Sequence, residues 1–144
     1  MKMPPKEKIP EAYSAIADGR VHIGDDNTAT VRSSDGAKTY TVKWQGDTYT
    51  SDDNATYWQG YPGYPVLAVL MLQKKLPYDP AIAPYFVGIN WHSLNSAHKR
   101  NYAAALNEAL ENLNQNERQT VDTEIDKCFE SLKHLDLTIK RKIS

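Results

Sequence analysis

The stretch YTSDDNATYWQGYPGYPVLAVLMLQ, residues Tyr49 to Gln73, decides how the chain is organised. Its first half sets the adjacent carboxylates Asp52 and Asp53 among five rings, Tyr49, Tyr57, Trp58, Tyr61 and Tyr64. Gly60, Pro62 and Gly63 interrupt those rings, so the segment is a loop by its turn chemistry. Its second half, Val66 to Leu72, is unbroken apolar sequence. That half predicts a helix from about Pro65 to Lys74 with no polar face, and hence one buried on nearly all sides.

Upstream of the loop the periodicity is two. Val21 and Ile23 alternate with Arg20 and His22, and Ala29 and Val31 alternate with Thr28, Thr30 and Arg32. Tyr40, Val42 and Trp44 alternate with Thr39, Thr41 and Lys43, and a short strand follows at Thr48–Thr50. Asp25-Asp26-Asn27, Asp35-Gly36 and Gln45-Gly46-Asp47 supply the turns between them. The expectation is an antiparallel meander of three to four strands with one buried face. Ahead of it, Pro10 suits the first position of a short helix, Glu11 to Asp18, which Gly19 stops. Residues 1–9, with three prolines and three lysines across the first ten positions, form an expected loose lead-in.

Downstream, three prolines make Leu76 to Pro84 irregular, and Tyr85 to Trp91 fits either a strand or a turn of helix. The last third is helical. Tyr102, Leu106, Ala109 and Leu113 fall on one face, and so do Val121, Ile125, Cys128, Leu132 and Leu135. Asn116 with Gln119 resembles a capping box between the two. Together residues 93–139 predict a helical hairpin with coiled-coil-like seam spacing. That seam meets either its own partner helix or a second copy, which leaves monomer and homodimer open. The expected fold is one α+β domain, residues 10–144.

The order strand, turn, strand, loop, apolar helix resembles the SWIM-type zinc finger. In that family a CxC ends a hairpin and a CxH opens the following helix. Here Thr39-Tyr40-Thr41-Val42, Tyr49-Thr50-Ser51 and Gly63-Tyr64-Pro65-Val66-Leu67-Ala68-Val69-Leu70 carry the likeness, with Ile16-Ala17-Asp18-Gly19-Arg20-Val21 as lead-in. It covers about residues 13–75, so residues 10–75 are the SWIM-like portion. The resemblance places Tyr49, Ser51, Gly63 and Pro65 where the four ligands would be. None of the four supplies a thiolate or imidazole, so no metal is implied. Packing by the rings would then stand in for coordination. The family is associated with protein–protein and protein–DNA contacts, which is what the resemblance implies here.

Composition narrows the function classes. Apolar residues make up 40% and charged residues 24%, the balance of a soluble globular domain. Nine Tyr against two Phe favour partly wet surfaces. A net charge of −1 gives no global field towards nucleic acid or anionic lipid. The opening MKMPPKEKIP lacks the apolar core of a signal peptide, and Pro65 to Leu72 is too short to span a membrane. The single cysteine, Cys128, excludes an internal disulfide and fits a reducing, cytoplasmic setting; at a seam position it is a core residue.

No phosphate-cradling glycine loop, nucleophile elbow or helical His pair is present, and neither a catalytic set nor a cofactor is implied. Asp52 and Asp53 fit a turn; as an acid–base pair they would have to converge on one atom. Two surface constellations remain. Tyr57, Trp58, Tyr61 and Tyr64, joined by Trp44, form a protein-docking surface if exposed and core if buried. His98, Lys99 and Arg100 at a helix start, with Lys140, Arg141 and Lys142 in a solvated tail, would suit a single-stranded nucleic acid. The favoured expectation is a non-catalytic module that binds a protein partner through the aromatic loop. Nucleic-acid binding is the first alternative and a small enzyme the second.

Overall fold

The alternation over residues 28–45 lays down the centre of a sheet, seen in a computed structural model that describes residues 1–143. The fold is α+β. Strands β1 (Val21–Ile23), β2 (Thr28–Arg32), β3 (Thr39–Gln45) and β4 (Thr48–Ser51) pair antiparallel in sequence order. Asp26 and Asn27, both at φ 56°, take the left-handed conformation that a tight β1–β2 connection requires. Ala29, Val31, Val42 and Tyr49 point into the core. Ile23, expected on the inner face, is 47% exposed because β1 lies at the sheet edge.

The sheet has a fifth strand that the expected meander lacks. Strand β5 (Thr138–Ile139) adds parallel to β4, pairing Thr48 with Thr138 and Tyr49 with Ile139. The sheet is therefore mixed. A parallel neighbour needs a long crossover, and here all the intervening helices provide it. Two residues carry no readable alternation, and the expected helical hairpin, residues 93–139, runs through them.

Helix α1 (Lys8–Ala17) begins before the expected Glu11, so Lys8 and Ile9 belong to it rather than to a lead-in. Pro10 still sits in the first turn, where no intrahelical N–H is required. Helix α2 (Tyr64–Leu72) packs on both α1 and the sheet. That double contact is why Pro65 through Met71 are all buried and no polar face is needed. It stops two residues short of Lys74, which takes a φ of 62°.

Tyr85 to Trp91 is neither of its two expected forms alone. A 3-10 turn over Ala83–Phe86 gives way to an extended bend, and Trp91 opens helix α3 (Trp91–Ala97). Helix α4 (Tyr102–Ala109) packs on α3, and the long helix α5 (Gln115–Lys133) lies against α1. The capping box is Asn114 with Glu117, two residues before the Asn116–Gln119 pair. The seam residues Val121, Ile125, Cys128 and Leu132 are buried in the chain's own core. Among the described residues no helix is long and apolar enough to cross a membrane.

Candidate functional site

The loop between β4 and α2 is held by Asp53. Adjacent residues at a strand end point to opposite sides, and Asp52 and Asp53 part accordingly. Exposed Asp52 accepts a hydrogen bond from Thr41 N at 2.8 Å. Buried Asp53 accepts from Thr56 N at 3.1 Å through Oδ2, while its Oδ1 has no hydrogen-bond partner. Gly63 N donates to Thr56 Oγ1 at 2.9 Å, and a Cβ on Gly63 would collide with the Asp53 carboxylate. The two carboxylates do not converge, so they form no acid–base pair. The loop between them and Gly63 is a single π-helical turn, Ala55–Gln59, ended by Gly60 at φ 76°. Such turns are rare and gather at functional sites.

The five rings separate into two groups. Tyr49 is fully buried and stacks with Trp44 at 6.0 Å. Its hydroxyl donates to Gln73 Oε1 at 2.6 Å and accepts from Lys75 Nζ at 3.0 Å. Trp44, half-buried against it, stands apart from the other expected docking residues. Tyr64 is half-buried and meets Tyr40 edge-on, while Tyr57 and Trp58 pack edge to face at 4.8 Å. Trp58 is 64% exposed. Tyr49, Ser51, Gly63 and Pro65, the four positions set by the zinc-finger resemblance, are all buried. Ser51 Oγ and the Asp53 carboxylate, rather than a plug of rings, serve the loop's backbone there.

The basic tail is not simply solvated. Lys140 N donates to Tyr49 O at 3.0 Å as β5 ends. Arg141 Nε donates to Tyr57 O at 3.0 Å, and its guanidinium lies 5.2 Å from the ring centroids of both Tyr57 and Trp58. Lys140 and Lys142 have exposed side chains. Two constellations far apart in sequence thus meet at Trp58, joined by a cation–π contact.

On its other side the loop borders an open cleft of about 1070 Å³ that runs to the corner between α3 and α4. Trp58, Tyr61 and Tyr64 from the loop and the start of α2 line it, as do Trp91, Tyr102, Lys99 and Arg100 from the α3–α4 region. Lys99 and Arg100 were expected at a helix start. They follow the C-terminal end of α3 instead, at φ 53° and 66°, where cations complement the helix dipole. His98, the C-cap of α3, turns to Glu108 Oε1 at 3.1 Å and does not line the cleft.

The floor holds residues the sequence reading did not select. Lys8 Nζ pairs with Glu11 Oε2 at 3.2 Å and lies 4.3 Å over the Tyr102 ring. Burial pushes the Glu11 carboxyl above its ordinary range, against the pull of Lys8. Burial draws Lys8 down, but Glu11 and its other neighbours outweigh it and the net direction is up. Burial likewise raises the Tyr64 phenol. The Arg20 side chain is only 11% exposed. Its Nη1 donates to Arg32 O and its Nε lies 3.5 Å from Asp18; Nε and Nη2 are shielded from solvent and, among the described residues, have no hydrogen-bond partner. The one signal in the sequence was Glu11, an acidic residue set among the core positions Ile9, Ala12 and Tyr13.

Chemically, the cleft offers rings and cations. Cys128 is fully buried away from it, and burial pushes its thiol up to about 12. No curated protein and no solved structure matches this chain. A family model does match, over residues 1–138, and the chain therefore belongs to the family described as Uncharacterised conserved protein UCP014422.

Proposed function

We propose that the protein is a non-catalytic, cytoplasmic binding module that recognises a protein partner through the aromatic loop. The exposure of Trp58 carries this reading: a large ring is held out at the rim of a cleft by a buried, hydrogen-bonded loop base. Trp and Tyr dominate binding hot spots because they bring large area at little entropic cost. Tyr57, Tyr61 and Tyr64 extend the patch, whereas Trp44 serves the core beside Tyr49. The likeness to SWIM-type domains, which make protein and DNA contacts, supports the same class. The divergence of Asp52 and Asp53 leaves the small-enzyme alternative without its acid–base pair.

One observation favours nucleic acid as a second reading: Lys99 and Arg100 share the cleft with Trp58, and Arg141 stacks on that ring. The two separate by salt. Co-purification with the wild type and with Trp58→Ala at low and high ionic strength tests them. A protein partner held through rings weakens only modestly as salt rises and is lost with Trp58→Ala. A nucleic acid is released steeply by salt, in proportion to the number of phosphates neutralised.

A further inference from the structure

We infer that the cleft receives an acidic segment of the protein partner, with its carboxylates met by Lys99 and Arg100. This rests on Trp58 being a docking residue and specifies the chemistry of what docks beside it.

Two observations carry it. First, the lining carries five cationic side chains against two carboxylates, Glu11 and Asp35. Glu11 is already answered by Lys8, and Asp35 Oδ1 accepts from Ser33 Oγ and Ala37 N. Among the described residues, no ion pair engages Lys99 or Arg100. The unanswered charge is therefore positive. Second, Trp58, Trp91 and Tyr102 line the cleft together with those cations, which suits a ligand that carries both apolar and anionic groups. A peptide segment with Asp or Glu among apolar side chains does that. A phosphate backbone would bring unbroken negative charge past Glu11 and Asp35, on a chain whose net charge is already −1.

The test is selection of a random peptide library and a random single-stranded DNA pool on the wild-type protein and on Trp58→Ala. Selected ligands are then titrated against Lys99→Gln/Arg100→Gln, whose positions are exposed. Circular dichroism confirms that each variant is folded. The expected result is peptides enriched in Asp or Glu beside apolar residues, retained only when Trp58 is present. Their affinity falls at least about tenfold in the double variant, each lost charge-assisted hydrogen bond accounting for about tenfold. Trp58-dependent peptides that are neutral or basic would leave the docking reading standing and overturn the acidic segment. Peptides that bind equally well without Trp58 would overturn both. Enrichment of the DNA pool alone, abolished by Lys99→Gln/Arg100→Gln, would overturn the peptide class.

Discussion

At the scale of single residues, Gly63 is the strictest position in the loop. Any side chain there would meet the Asp53 carboxylate, itself buried and anchored on Thr56 N. Gly63→Ala is therefore expected to destabilise the fold by about 2 kcal/mol, the scale of overpacking a filled site. In Asp53→Ala the same change should cost less, with only the contact to Ala55 Cβ at 3.2 Å left to relax, so a denaturant double-mutant cycle should show coupling. Additive effects would mean the two residues do not share that space. Arg141 offers a second test. Arg141→Ala should raise acrylamide quenching of tryptophan fluorescence by uncovering Trp58, and Lys142→Ala should leave it unchanged. Residue types in the sequence marked the rings and the Asp pair as notable, but not which ring was wet. Tyr49 and Trp58 look alike in a string; their fates differ because one lies within the inner strand β4 and the other rides a π-turn. Arg20 was invisible for a similar reason, since its idle nitrogens arise only where β1, β2 and the cleft floor meet.

Among the elements, those with a sustained period were legible and those without were not. Strands β1 to β4, the wholly apolar α2 and the seam of α5 all follow from repeats of two or of three and four. Strand β5 is two residues long, α3 seven, and neither can display a period. The capping box shows the limit of a local signal. Asn116–Gln119 matches the pattern, yet Asn114 and Glu117 make both reciprocal hydrogen bonds, at 2.8 and 2.9 Å. Asn114→Ala should lower the unfolding free energy by about 1 kcal/mol. Asn116→Ala, an exposed change, should stay within about 0.5 kcal/mol. Equal losses at the two sites would contradict the assignment of the cap. The α3–α4 corner moves Lys99 and Arg100 from an expected helix start to the lining of the cleft.

For the molecule as a whole, the burial of titrating groups sets how stability responds to alkali. Burial raises the phenols of Tyr13 and Tyr64 above their ordinary 10.0 and lifts the Cys128 thiol from 9.0 to about 12. Lys8 is raised too, since its pairing with Glu11 outweighs the opposing effect of burial. The folded state holds all these protons more tightly than the unfolded chain does. Their stabilisation is complete below the unfolded values and is lost as pH rises through the folded ones. The thermal midpoint should accordingly fall from about pH 9 towards pH 12, and a flat profile there would show that these groups are not buried as described. The central claim is that the molecule keeps Trp58 for binding and not for stability. The unfolding free energy of Trp58→Ala tests it most directly. A loss within about 1 kcal/mol, the worth of the Arg141 and Tyr57 contacts, is the result predicted. A loss of about 3–5 kcal/mol, as for a core tryptophan, would make the loop part of the core and contradict the account.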